Sequence, residues 1–119
     1  MSTKIWTIAL GLLMTTAGLA HFIVTRKYLP IVPRFLPQRV SIVIVSGVIE
    51  FVAGIGLFFP FARKEAAFVV LVLMIGFLPL HAWDLFRDRP AIGPRWVTVI
   101  RFALQFLLIY WPWRVWHAY

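Results

Sequence analysis

The sequence predicts an all-α integral membrane protein, a four-helix bundle forming one transmembrane domain over residues 1–119. Three observations carry the prediction. The chain is 62% hydrophobic and only 13% charged, about half of the roughly 25% that a soluble domain carries. Its apolar residues gather into four runs of about 20, the length an α-helix needs to cross the hydrocarbon core. Most of the prolines and most of the basic residues fall between those runs.

The first run predicts a helix over 5–24. Lys4 precedes it, yet the run is too long for a signal peptide's apolar region. Thr25-Arg26-Lys27 follows without a small-residue cleavage site, so the helix is expected to be retained. Gly11, Thr15 and Gly18 form a small-residue stripe along which another helix can approach closely. Its last turn carries His21 and Phe22.

Residues 25–39 contain Pro30, Pro33 and Pro37. Each removes a backbone donor and restricts its predecessor, so no regular helix is expected. Tyr28, Leu29, Ile31, Val32, Phe35 and Leu36 are nevertheless too apolar for a solvated loop. The segment reads as interfacial, with its side chains at the acyl boundary. The alternative is a lid folded over the end of the bundle beside His21.

The second helix is expected over 40–60. Ser46, Glu50 and Gly54 recur at i, i+4, i+8 with Gly47 one position round, which turns the carboxylate and its small neighbours toward the bundle. Residues 61–65 form a short turn, making the second and third helices antiparallel neighbours. The third helix, over 66–86, places Phe77, His81 and Asp84 on one face, and Pro79 is expected to bend it just before His81. Two prolines and a glycine make 87–95 a turn. The fourth helix, over 96–113, carries Arg101 and Gln105 one turn apart. It ends in the aromatic stretch from Tyr110 to Tyr119, an interfacial belt that puts His117 at the surface.

The spacing from His21 to Pro30 recurs from His81 to Pro90. Both histidine-bearing helices run into a basic, proline-punctuated connection, the pattern of a duplicated helix pair.

The net charge of +8 belongs to loops that anchor helices against anionic headgroups. Nucleic acid is excluded as a partner, because a phosphate-tracking groove needs a water-exposed basic face. Eight of the twelve Lys and Arg flank the first and third connections. That bias predicts those connections in the cytoplasm and both termini outside. With no cysteine, the chain has no disulfide, thiol-redox or Cys-metal chemistry of its own.

Glu50 is the feature the rest must answer to. A carboxylate about ten residues from either end of a span costs a few kcal/mol, so it should be protonated, paired or functional. His21, His81, Asp84 and Arg101 all lie toward the same membrane face, within about 9 Å of it by the helix rise. Five ionisable groups, at least one from every helix, therefore converge on one half of the bundle. Four readings fit. The charges lock the helices together. They bind a small amphipathic molecule, such as a quinone, with Phe22, Phe77, Ser46 and other neighbours around the head. Glu50, His21 and His81 hold a metal, although the Glu-x-x-His spacing usual in bundles is absent. Glu50 relays protons or ions. The pocket is the favoured function and no metal is assigned. There is no GxSxG, phosphate loop, HExxH or CxxC motif, so no catalytic residue is assigned and no independent enzyme activity is expected.

Gly18-Leu-Ala-His21-Phe22, the prolines at 30, 33 and 37, Ser46-Gly47-Val-Ile-Glu50, Gly54 and Leu57-Phe-Phe-Pro60 resemble the DoxX-like family of small bacterial membrane proteins. The similarity covers about residues 10 to 85. It implies a four-helix bundle in the bacterial inner membrane, with a place in redox or stress-related systems. Quinone, membrane or redox protein partners, a subunit role in an oxidoreductase, and homo-oligomers come with that expectation. The family positions fall on His21, Phe22, Ser46, Gly47 and Glu50. Some relatives use cysteine pairs, which this chain lacks.

Overall fold

The computed structural model describes residues 3–88 and 90–119. Five helices run in order among the described residues: α1 (Thr3–Ile23), the short α2 (Thr25–Tyr28), α3 (Arg39–Gly56), α4 (Arg63–Leu85) and α5 (Arg95–Ala118), with a 3-10 turn at Leu29–Ile31. There is no strand among the described residues. All but α2 are long and apolar enough to cross a membrane. Leu12, Val52, Val72 and Leu107 are among the large apolar side chains they leave exposed. Such surfaces suit hydrocarbon, and the fold is that of a multi-pass membrane bundle.

The helix bounds differ from expectation in three places. α3 stops at Gly56 rather than at Pro60, because its last turn tightens: Phe58 N–H bonds the Ile55 carbonyl at 3.0 Å and Phe59 N–H the Gly56 carbonyl at 3.2 Å. Arg63 is the first residue of α4, not part of a solvated turn. Its buried guanidinium donates to Leu57 O at 3.0 Å and Phe58 O at 3.4 Å, satisfying carbonyls that the end of α3 leaves orphaned. α5 continues through Pro112 to Ala118. Proline's fixed φ is helical, although it withholds a donor and crowds the carbonyl one turn back; the buried Val115, one turn on, packs into the core and holds the last turns in place. α4 likewise runs unbroken past Pro79.

α1 packs most closely on α3 and α4 on α5, while the α3–α4 and α1–α5 seams are thinner. Each close pair is joined by one proline-bearing connection, the pairing a duplicated helix pair would give. Leu10, Met14, Ala53, Leu57, Val70 and Met74 form the centre of the core. The thin α1–α5 seam leaves room between the two pairs, and the candidate site lies there.

Candidate functional site

Backbone contact between α1 and α3 builds the first half of the site. A Cβ on Gly18 would stand 2.6 Å from the backbone N of Phe51, and one on Gly47 would stand 2.5 Å from the Cβ of His21. Glycine alone lets the helices meet so closely, and the meeting sets His21 beside Glu50. The Nδ1 of His21 is 2.8 Å from Ala17 O and 3.5 Å from Glu50 Oε2. A carbonyl only accepts, so Nδ1 carries the proton that bonds Ala17, and Nε2 is left for another partner. Glu50 is 4% exposed. Its buried Oε2 has no hydrogen-bond partner among the described residues.

Tyr28, just past α1, stacks on the His21 ring with centroids 4.2 Å apart and planes 15° apart. Burial first, and then the charge of Glu50, raise its phenol above the ordinary value of 10, against a smaller opposing influence of Arg101. The hydroxyl is therefore neutral at physiological pH and able to donate.

The second half comes from α4 and α5. His81 is 7% exposed and faces the same space as Glu50. The Nη1 of Arg101 donates to Gln105 Oε1 at 2.9 Å, and Gln105 Nε2 donates across to Met74 O on α4 at 2.7 Å. The fully buried Gln105 thus both aims Arg101 and ties α5 to α4. Hydrogen bonds between membrane helices average about 0.6 kcal/mol, with a maximum near 1.7. Gln105→Leu is accordingly expected to cost about 1 kcal/mol, read as a lowered thermal midpoint in detergent.

These groups surround one end of a cavity of about 970 Å³. His21, Tyr28, Ser46, Glu50, His81 and Arg101 form its polar end, and Met14, Phe77, Leu104 and Leu108 are among its apolar walls. It runs on to Thr3, Trp6, Trp111 and Ala118 at the opposite end of the bundle. There Trp111 Nε1 donates to Trp6 O at 3.0 Å, and the two indoles meet edge to face.

The segment 25–39 covers the polar end. Tyr28, Ile31 and Val32 line the cavity. The guanidinium of Arg39 holds the segment through Val32 O at 3.1 Å and through Leu29 O, and Arg87 donates to Pro30 O. It is a pinned cover with short helical turns, not only an interfacial strip.

Of the residues picked from sequence, the structure brings Glu50, His21, His81, Arg101, Ser46 and Phe77 to one cavity. Ser46 lines it while its hydroxyl donates to Val43 O at 2.9 Å. Two stand elsewhere. Phe22 is 38% exposed and points away, because the next-door His21 takes the α3-facing position on the helix. Asp84 is fully buried below the site, its carboxylate taken up by Arg87 Nη1 (3.2 Å) and by the backbone N–H groups of Ala91 (2.7 Å) and Ile92 (3.4 Å). Among the described residues no three His, Asp or Glu side chains gather to hold a metal ion. Tyr28 was missed as a site residue because it follows the end of α1, where helical spacing gives no guide. Gln105 did carry a signal, an amide in the middle of a span.

Fold and site together define a multi-pass membrane bundle with a covered cavity, polar around Glu50, His21, His81 and Arg101, apolar in its middle, and reaching Thr3, Tyr110 and Arg114 at its far end. The chain belongs to the family described as Domain of unknown function (DUF8561), whose model matches residues 10–116. Comparisons with curated proteins and with solved structures find no match.

Proposed function

We propose that this protein binds a small lipid-soluble molecule in the cavity, with the molecule's polar head against Glu50, His21, His81 and Arg101. A quinone has the required form. One observation supports this above the rest: an unpartnered carboxylate oxygen of a residue only 4% exposed, on the wall of a mostly apolar cavity. A buried polar group without a partner costs on the order of 1–3 kcal/mol, which a ligand's hydroxyl or carbonyl head would recover. Glu50 and Arg101 offer a carboxyl and a guanidinium at the same end, which suits an uncharged head with both donor and acceptor character.

The resemblance to DoxX-like proteins supports a redox or stress-related membrane system and a bacterial inner membrane, and the excess of Lys and Arg at the 25–39 and 87–95 connections favours their facing the cytoplasm. The rival reading, an assembly subunit whose buried charges only lock the helices, asks Glu50 to bond across the bundle. Beyond the 3.5 Å approach of His21 it makes no such bond among the described residues, whereas Gln105 does.

Glu50→Leu keeps volume and removes all hydrogen bonding. In nanodiscs, titration with a short-chain benzoquinone followed by tryptophan fluorescence is expected to show affinity lowered by about tenfold, about 1.4 kcal/mol. Thermal stability should hold within about 1 kcal/mol, since an apolar replacement removes a buried oxygen that makes no hydrogen bond and gives up only the long 3.5 Å approach of His21. Unchanged affinity, or a bundle that unfolds instead, would defeat the pocket reading.

A further inference from the structure

The cavity is far longer than a polar head requires. Thr3 and His21 both line it and lie on the same unbroken helix. The eighteen residue steps between them correspond to about 27 Å of helix rise. Arg101 and Ala118 on α5 mark nearly the same span. A volume of about 970 Å³ spread over that length is a tube averaging roughly 7 Å across, by the same rise. That is too elongated for a compact molecule. The middle of the tube is lined by Leu13, Met14, Leu104, Leu107 and Leu108, without an ionisable group.

We infer that the ligand is an amphiphile with one long hydrocarbon chain, and that the chain lies inside the protein along the α1–α5 seam, from Glu50 to the Trp6–Trp111 contact. This rests on the pocket reading and adds the class of molecule. The seam is the right place for a tail, since α1 and α5 touch only sparsely along it and Leu13, Leu104 and Leu107 are partly open to lipid. A tail enclosed there gains little hydrophobic energy, because the bilayer it leaves is equally apolar. What the tube supplies is fit, so the tail is sensed through sterics and not through partition.

Narrowing the tube is the test. Leu107→Trp on α5 and Leu13→Trp on α1 each place an indole in mid-channel from a partly lipid-exposed position, where the fold tolerates bulk. Two probes share one benzoquinone head, one with a methyl group and one with a saturated chain long enough to reach Trp6. Both are titrated into the full chain in nanodiscs. Overpacking a channel that fits its occupant is unfavourable, so each variant is expected to weaken the long-chain probe by about tenfold or more and leave the methyl probe unchanged. Should long-chain binding survive both variants, the tail lies outside the protein and the inference fails while the pocket stands. Equal weakening of both probes would also overturn it, because the block would then act on the head site. If the unaltered protein binds neither probe, the pocket reading fails as well.

Discussion

Gly47→Ala is expected to destabilise the bundle by about 3 kcal/mol, the upper end of what overpacking costs, and to abolish whatever the cavity binds. The added methyl carbon would stand 2.5 Å from His21 Cβ, 3.1 Å from its Cγ and 3.2 Å from Gly18 O. Ordinary carbon contacts lie at about 3.5–4.0 Å. Relief by a side-chain swing is closed off, since the atom met first is a Cβ rather than the tip of a flexible chain. The ring itself is held by Ala17 O and stacked on Tyr28. α1 and α3 must therefore move apart, and the movement carries Glu50 away from His21. Gly76→Ala is the control. A Cβ there meets nothing within 4 Å among the described residues, and alanine is the better helix former by roughly 0.5–1 kcal/mol. The two substitutions, identical in chemistry and both in spans, should move the unfolding midpoint in detergent in opposite directions. If Gly76→Ala proves as harmful as Gly47→Ala, close backbone approach is not what places the site.

Both glycines stand in the sequence as members of apolar runs, and only one of them is a contact. The stripe of Gly11, Thr15 and Gly18 pointed correctly to the close-packed face of α1, because three- to four-residue spacing is fixed by the helix itself. Its partner face on α3 was harder to place: Gly47 and Gly54 are buried, whereas Ser46 is only half-buried. Seven residues return to nearly the same face of a helix, and the i, i+4, i+8 series drifts past it. Glu50 falls between the two, which is why its burial was legible from either pattern.

Helix ends were less legible because tertiary partners decide them. Nothing local in Phe61-Ala-Arg63 announces that an arginine will turn back onto Leu57 O, and nothing in Trp111-Pro112-Trp113 announces that the helix survives its proline. The convergence of His21, Glu50, His81 and Arg101 followed from depth alone, since antiparallel helices of known length put equal depths side by side. Which way each side chain points does not follow from depth. Phe22 and Asp84 lie at suitable levels, and one faces outward while the other is engaged below the site. The long tube was not legible at all. It depends on α1 and α5 failing to pack closely, and a sequence of uniformly apolar runs carries no sign of which seam will be loose.

Asp84→Ala is expected to cost about 3 kcal/mol in thermal or denaturant unfolding, because hydrogen bonds to a charged acceptor contribute roughly 1.5–3 kcal/mol each and are not additive when they share one group. The carboxylate closes the turn between α4 and α5 through Ala91 and Ile92 and fixes Arg87. Arg87 in turn reaches Pro30 on the segment that covers the cavity and lies over the Trp83 ring, 4.5 Å from its centroid. Removing the carboxylate should therefore loosen two connections together, although it touches no ligand. Asp84→Asn retains one acceptor oxygen and should recover part of the loss. Hydrogen exchange separates this role from a binding role: amides near Ala91 and in 29–32 should exchange faster in Asp84→Ala, while those of α3 around Glu50 keep their protection. If α3 loses protection and the two connections do not, Asp84 acts at the cavity after all, and the division between a residue that holds the cover and residues that face the ligand would have to be redrawn.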